Sequence, residues 1–228
     1  MENYSRALLA SALSPTQDLV AVLIVVFDAL RRCGSPEAIV SDGGAVFRAK
    51  RLLSAYAALG VRREQIPQGQ PWTNYIEAHF GIMRRLTDFD FARATTWEEM
   101  LNIHAKFVRD DNQQVHWAHR ERQDNRHSPA QVLGWVTGTV YPEAVLHRAL
   151  YAMQFMRRVD QHGYVRLYHW RLYGELGLAG KAVAVWLYEG TLRLEYEMVL
   201  LARYGVVHER DGKHIRAVTN PRIATTRY

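Results

Sequence analysis

The sequence has few cysteines, no long apolar run and no secretory signal, and each of these absences excludes a class of protein. It has one cysteine, Cys33, which excludes an internal disulfide framework and fits a reducing compartment such as the cytoplasm. The longest apolar run, Leu19 to Phe27, is too short to span a bilayer. The residues after Met1 show neither the basic flank nor the cleavage site of a secretory signal. We therefore expect no membrane partner and a cytoplasmic location.

Zinc ligands are also scarce. His116 and His119 have the spacing of half a zinc site, and His127 lies near them in the sequence. A structural zinc site needs a second pair of ligands, but the chain has a single cysteine, Cys33, and no matching pair elsewhere in the sequence. We interpret these histidines as structural. Trp97 is likewise interpreted as a core anchor rather than a base-stacking platform, as is Trp117.

Charge is unevenly distributed along the chain. The net charge is +6, and residues 1–140 carry 16 basic against 15 acidic side chains. Residues 141–228 carry 13 against 8, so most of the excess lies in the C-terminal part. A basic module beside a nearly neutral one suggests a polyanionic partner such as DNA, or else a basic surface with no particular partner.

The first part of the chain alternates between strand and helix patterns, which favours an α/β layer. We predict strands at 5–12, 38–40 and 61–66, and helices from Ser14 to Arg32, from 47 to 58, after residue 74, from Thr96 to 112, and after Ser128. From Met153 the pattern changes to short runs rich in Val, Leu, Tyr and Trp that are interrupted by glycines, which predicts a small all-β barrel. We place the domains at 1–138 and 152–228, joined by a linker at 139–151.

Two acids, Asp42 and Glu77, are the main candidates for chemistry. Asp42 ends a predicted buried strand at a Gly-Gly turn, and Glu77 begins a predicted helix after a loop rich in Pro and Gly. A strand end and the first turn of a following helix can face one crevice, where two carboxylates are suitable ligands for Mg²⁺ or Mn²⁺. The alternative for Glu77 is a capping box with Asn74.

The helix that begins near Glu77 also carries a basic pair, Arg84 and Arg85. Arg84 lies seven residues past Glu77, which is close to two turns and roughly 10 Å along one face. A cation at that position is well placed to pair with a nucleic-acid phosphate. Gly81 lies between them on the same face and has no side chain to block a close approach.

The motifs around these residues resemble the catalytic core of the DDE integrases and transposases. The matching segments are "NYSR" at 3–6, "AIVSDGGAVF" at 38–47, "GQPWTNYIEAHFGIMRR" at 69–85 and the closing segment at 107–134. The C-terminal part resembles the small barrel that follows this core in phage-Mu-like transposases. The resemblance implies a ribonuclease-H-like core at 1–138 that lacks its first strands, followed by the barrel.

The resemblance also implies roles for single residues. Asp42 and Glu77 would be catalytic ligands of Mg²⁺ or Mn²⁺, and Asn74 would organise the loop before the helix. The residues that would contact DNA are Gln68, Gly69 and Gln70 in a mobile loop, Asn74 before the helix, and Arg84 and Arg85 on the helix. The partners would be element ends and target DNA, bound by a homo-oligomer near the nucleoid. On the barrel, we expect Arg157 and Arg158, with Arg166 and Arg171, to line a DNA-facing side or a solvated basic face.

The family uses three acids, and the first has no counterpart here. Glu2 matches a turn acid, and Asp18 and Asp28 fall inside the first predicted helix. We expect the natural protein to begin upstream, or the chain to be a decayed copy. Three functions stay open: a metal-dependent recombinase, a remnant that only binds DNA, and a nuclease of the ribonuclease-H type, which the basic barrel disfavours.

Overall fold

A computed structural model of the protein divides into two compact units, Met1–Leu150 and Tyr151–Tyr228. The described residues are 1–66, 75–134, 138–208 and 215–228. Among the helices in these ranges, none combines the length and apolar character needed to cross a membrane.

The first unit combines helices with a small parallel sheet. Its elements, in chain order, are α1 (Leu19–Cys33), β1 (Ala38–Ser41), α2 (Lys50–Ala58), β2 (Arg62–Gln65), α3 (Tyr75–Arg93), α4 (Trp97–Gln113), α5 (Pro129–Leu133) and α6 (Glu143–Tyr151). Strands β1 and β2 pair in parallel, with Ser41 opposite Gln65 at their carboxyl ends. Parallel strands require a crossover, which α2 and a 3₁₀ turn at Val46–Arg48 provide. The α/β prediction for this part is confirmed at that level.

Helix α1 begins later than predicted. Ser14 was expected to cap it, but the Ser14 hydroxyl bonds to Thr16 within a local turn. Asp18 is the cap, because its carboxylate accepts a hydrogen bond from the backbone N–H of Ala21 at 2.9 Å. The predicted stop is confirmed: Gly34 adopts φ +78° and its N–H bonds to Leu30.

The strand predicted at residues 5–12 is wrong. Arg6 adopts φ +65°, which interrupts an extended backbone. Ala7 and Leu8 are buried as expected. However, the Leu8 N–H and C=O are bonded by the side-chain amide of Asn112 on α4, at 2.8 and 3.0 Å. The side-chain amide of Asn112 thus makes the two backbone hydrogen bonds that a neighbouring strand would otherwise provide to Leu8.

Helices α4 and α5 begin where predicted. Thr96 and Glu99 form a capping box at α4, and Ser128 and Gln131 form one at α5. Trp97 follows the first of these caps and is 49% exposed, whereas Trp117 is 66% exposed. Both were expected in the core, and that expectation is wrong.

Strand β1 is also less buried than predicted, since Val40 is 45% exposed.

The stretch predicted as a linker, 139–151, is structured. Thr139 exchanges two backbone hydrogen bonds of 2.8 Å with Ser35. Helix α6 then covers most of the remainder, and its Leu150 carbonyl accepts a hydrogen bond from Arg51 at 3.1 Å. Residues 139–150 therefore lie within the first unit, and the second unit begins at Tyr151. The assignment of domains stays a prediction.

The second unit is all-β apart from a 3₁₀ turn at Leu176–Leu178. Its strands are β3 (Met153–Arg158), β4 (Tyr164–Leu167), β5 (Trp170–Tyr173), β6 (Ala182–Tyr188), β7 (Thr191–Tyr196), β8 (Val199–His208) and β9 (Ile215–Ile223). Strands β3, β6, β7, β8 and β9 form an antiparallel sheet in that order, and β4 pairs with β5 as a ribbon. Buried Val165, Leu167 and Leu172 of the ribbon share one core with the inner face of the sheet.

Tight turns give this sheet its register. Glu189 and Gly190 both have positive φ, as a two-residue hairpin between Tyr188 and Thr191 requires, so the predicted turn is confirmed. Among the described strands, β3 and β9 are each paired on one side only. The all-β prediction holds for an antiparallel sheet, and closure into a barrel stays a prediction.

Candidate active site and nucleic-acid interface

Asp42 lies where β1 ends, as predicted. Its Oδ1 accepts a hydrogen bond from the N–H of Gly44 at 2.8 Å, and its side chain is exposed. A Cβ on Gly44 would lie 2.9 Å from that oxygen. A Cβ on Gly43 would lie 3.3 Å from Nε2 of Gln65 on the neighbouring strand. The Gly-Gly turn therefore leaves room for the carboxylate to fold over its own backbone.

Arg63 on β2 holds this turn from the neighbouring strand, and the sequence patterns did not indicate it. Its Nη2 donates to the backbone carbonyl of Asp42 at 3.2 Å and to Gln65 Oε1 at 3.1 Å. Its Nε donates to the hydroxyl of Ser41 at 3.3 Å. The guanidinium thus fixes the backbone that carries Asp42 without using the carboxylate. A basic residue within a short strand was the available signal.

Glu77 lies in the first turn of α3, also as predicted. A carboxylate is stabilised there by the partial positive charge of the helix N-terminus, so a structural role accompanies any chemical one. Gly81 and Arg84 follow it at helical spacing, and all three residues are exposed. Around Gly81, an added Cβ would meet no described atom within 4 Å. This face of α3 is therefore accessible to a partner.

The basic pair is split between two directions. Arg84 is on the Glu77 face, and Arg85 lies about 100° further around the helix. Both side chains are exposed. Phe80, on the Glu77 side, is also exposed. Asn74, Gln68, Gly69 and Gln70, the other predicted DNA contacts of this unit, lie outside the described residues.

The opposite face of α3 is fixed by buried polar contacts. Nε2 of His79 lies 2.8 Å from Oδ2 of Asp111 on α4, and both side chains are at least 93% buried. The two atoms are close without the alignment of a hydrogen bond. The Arg6 guanidinium stacks over the ring of Tyr75 at 3.6 Å from its centroid. These contacts set the direction of the first turn and hence of Glu77.

The other early acids have structural roles. The Glu2 carboxylate accepts hydrogen bonds from the backbone N–H groups of Tyr4 and Ser5 at 2.7 and 2.6 Å, which confirms it as a turn acid. Asp18 caps α1 rather than lying inside it. Asp28 pairs with Arg31 and Arg32 at 3.2 and 3.0 Å.

A metal requires more ligands than these residues assemble. Within the described ranges, no group of three or more His, Cys, Asp or Glu side chains is placed to hold an ion. Asp42 and Glu77 alone do not complete the oxygen ligand set that a pair of divalent cations needs. The described residues therefore do not fit a complete two-metal centre.

The three histidines considered for zinc are occupied by backbone contacts. His116 Nδ1 accepts from Ala118 N–H, His119 Nε2 lies 2.8 Å from the Ser5 carbonyl, and His127 Nδ1 lies 2.8 Å from the His119 carbonyl. Burial lowers the pKa of His116, and the neighbouring His119 lowers it further. A histidine cluster bonded to the backbone in this way has a structural role.

The predicted arginines of the second unit do not share one surface. Arg157 and Arg158 are adjacent on β3, so their side chains leave opposite faces of the sheet. Arg157 lies on the partly buried side, with its guanidinium 5.5 Å from the Phe155 ring centroid. Arg158 is exposed and donates to the Gly180 carbonyl at 2.7 Å. The two side chains therefore do not share one face of the sheet, and a DNA contact by either stays a prediction.

Arg166 and Arg171 are opposite each other on the β4–β5 ribbon and are both exposed. Arg171 pairs with Asp160 at 3.3 Å and stacks over Tyr164, 4.7 Å from its ring centroid. Part of its charge is therefore compensated within the unit.

Comparison with known proteins adds nothing to these motifs. No protein-family model matches the chain, and no curated protein shows significant similarity to it. The family resemblance therefore rests on the motifs alone.

Proposed function

We propose that this chain is an integrase-type protein of a mobile element, which binds DNA and takes part in DNA integration and transposition. The observation that carries the proposal is the pair of exposed carboxylates, Asp42 on the turn after β1 and Glu77 in the first turn of α3. Their placement at a strand end and a helix start, with Arg84 on the Glu77 face, is what the DDE motif demands.

The fold is compatible with this proposal at a coarse level. The first unit contains a parallel pair, β1–β2, crossed over by α2 and followed by α3. We assign this part, because of the motif, to the segment of a ribonuclease-H-like core that carries the second and third acids. We likewise assign the all-β unit to the small barrel.

Each residue has a separate task in this proposal. Asp42 and Glu77 would supply hard oxygen donors to a Mg²⁺ ion, and the ion would supply Lewis-acid chemistry at a phosphodiester. Arg63 holds the Asp42 turn through its backbone carbonyl. Arg84 places a positive charge two turns along the same face, roughly 10 Å from Glu77, where it can pair with a DNA phosphate.

A second candidate function is DNA binding without chemistry. It is favoured by the lack of any cluster of three metal-ligating side chains in the described part of the chain. Strand cleavage would then need a third carboxylate from outside these residues. The recombinase and the DNA-binding protein would use the same DNA contacts. They differ in whether Asp42 and Glu77 hold a cation for chemistry.

The test is whether Asp42 and Glu77 bind one cation together. We expect D42N and E77Q each to weaken Mn²⁺ binding by about tenfold or more, and the double variant to lose little beyond either one, because the ligands share one ion. Electron paramagnetic resonance of titrated Mn²⁺ measures this directly. Asp88→Asn is the matched control, since Asp88 is an exposed acid on α3 three turns further along the Glu77 face.

Equal Mn²⁺ affinity in wild type and E77Q would refute the shared site. A strand-transfer assay then separates the recombinase from the protein that only binds DNA. It uses Mg²⁺ and a DNA substrate whose ends carry the sequences that flank the gene. Products that disappear in E77Q indicate a recombinase. DNA binding without products in wild type indicates a protein that only binds.

A further inference from the structure

The outer face of the five-stranded sheet carries a row of residues in cross-strand register. Gln154 on β3 is opposite Trp186 on β6, and Trp186 is opposite Arg193 on β7. Arg193 is opposite Arg203 on β8, and Arg203 is opposite Arg222 on β9. Residues directly opposite each other in antiparallel strands project from the same face. One tryptophan and three arginines therefore lie side by side across four strands.

This arrangement places like charges close together. Neighbouring strands are about 4.8 Å apart, so the three arginine stems begin within roughly 10 Å of one another. Directly opposite like charges destabilise a sheet. Arg203 and Arg222 are exposed, and no carboxylate of the described residues forms an ion pair with either. The repulsion within this row is unfavourable for the sheet, and an anionic ligand would offset it.

Arg193 is only partly compensated. Its Nη2 pairs with Oε1 of Glu195 at 2.9 Å on the same strand. Its Nε is buried and has no hydrogen-bond partner among the described residues. A guanidinium has five N–H donors and the Arg193 side chain is 34% exposed, so this residue also retains capacity for an external acceptor.

The next row of outward-facing residues along the sheet has uncharged side chains and includes a glycine. It consists of Tyr188, Thr191, Gly205 and Thr219, again in direct register. Gly205 has no side chain, and a Cβ there would lie 3.0 Å from the Thr219 hydroxyl. The arginine row thus borders a second row whose own four residues carry no acidic side chain.

We propose that this row, Trp186, Arg193, Arg203 and Arg222, is a binding surface for a single-stranded segment of DNA. The arginines contact successive phosphates, and Trp186 at the end of the row stacks against an unpaired base. An aromatic side chain in register with arginines favours a single strand, because base faces are exposed for stacking only where the bases are unpaired. The inference rests on the proposed DNA-binding function and assigns it a surface that the sequence did not indicate.

The test measures binding of a fluorescent single-stranded 20-mer to the full chain at several salt concentrations. We expect R203Q and R222Q each to weaken binding by about fivefold to tenfold. The double variant should lower the slope of log K against log salt by about 1.4, or about 0.7 for each phosphate that is no longer neutralised. W186L should weaken single-strand binding about tenfold and leave duplex binding nearly unchanged.

Arg227→Gln is the matched control. It removes the same charge from the same unit, at an exposed position outside the row. Because R203Q and R222Q relieve repulsion between like charges, their midpoints of thermal unfolding should equal or exceed that of the wild type. Weaker DNA binding in a variant with such a midpoint is therefore not a folding defect.

Three outcomes would overturn the inference. The first is a loss of affinity in R227Q equal to that in R203Q, which indicates that only the net charge matters. The second is displacement of DNA by polyglutamate as effective as displacement by unlabelled DNA, which indicates an unselective polyanion surface. The third is wild-type binding by R203Q and R222Q. In that case, a loss in R84Q keeps the proposed function and removes only this surface, whereas a wild-type chain that binds no DNA removes both.

Discussion

At the scale of single residues, side chains complete the backbone where strands and helices do not. The clearest case is Asn112, which bonds both the N–H and the C=O of buried Leu8. A segment that would otherwise need a neighbouring strand is held by one amide. The requirement that buried backbone groups be paired is met here by a side chain 104 positions away.

Asn112→Ala is expected to lower the free energy of unfolding by about 2–3 kcal/mol, because it leaves two backbone groups of a buried residue without partners. Urea unfolding followed by circular dichroism measures the change. Asn102→Ala is the control, since Asn102 is an exposed residue of the same helix and should change stability by less than about 0.5 kcal/mol. Equal effects of the two substitutions would contradict the role given to Asn112.

The candidate site was predictable only where its residues depend on local signals. The Gly-Gly turn and the helix start determine where Asp42 and Glu77 lie, and both patterns are visible in a few neighbouring residues. Arg63 was not predictable, because its contact with the Asp42 backbone depends on which residues of β1 and β2 face each other.

At the scale of elements, hydrogen-bonded caps were the most reliable signals. The caps at Thr96 and Ser128 combine a hydroxyl with an acid or amide three residues on, so little else competes with them. The start of α1 was misplaced because two polar residues, Ser14 and Asp18, compete as the cap, and a local turn at Thr16 decides between them. The arginine row was not predictable from the sequence, since cross-strand neighbours depend on hairpin register.

The β7–β8 hairpin contains a turn that its residues do not favour. Glu197 and Met198 connect Tyr196 to Val199, and both have positive φ, at 46° and 69°. Such two-residue turns prefer Asn-Gly, because residues with a Cβ are strained in this region. Met198 is 96% exposed, so its side chain contributes little packing.

Met198→Gly should therefore stabilise the protein by roughly 1 kcal/mol through relief of backbone strain. Differential scanning calorimetry would detect the rise in melting temperature. Met198→Ala separates strain from side-chain loss, because it removes the side chain beyond Cβ and keeps the strained φ. A similar gain in both variants would show that the exposed thioether, and not the turn, was the source of the destabilisation.

At the scale of the whole molecule, buried histidines make stability depend on pH. Burial lowers the pKa of His104, which contacts the Ser11 hydroxyl at 2.8 Å. Burial likewise lowers the pKa of His116, with further lowering from His119, Arg6 and His79 and an opposing effect of Asp111. Several carboxylates have a lowered pKa; the hydrogen bond from Arg122 lowers that of Asp124 from 3.8 to about 2. These groups affect stability in a separate pH range, as pH falls below their ordinary pKa.

The sign of the histidine effect follows from proton binding. The unfolded state takes up protons as pH falls through the ordinary histidine pKa of 6.5, whereas the folded state does so only at lower pH. Protons therefore favour the unfolded state, and stability falls from about pH 7.5 to about pH 5.5. Urea midpoints followed by far-ultraviolet circular dichroism, where the helices of the first unit dominate the signal, should decrease over this range.

His104→Gln should flatten this pH dependence, because glutamine retains a hydrogen-bonding group for Ser11 and does not titrate. His162→Gln, at an exposed position of the second unit, is the control and should leave the dependence intact. A midpoint that stays constant across this pH range, or a slope equal in wild type and H104Q, would contradict the assignment. The carboxylates with a lowered pKa, such as Asp124, provide a further comparison. Their loss of stabilisation should begin only as pH falls below about 4, and it should be the same in H104Q and H162Q.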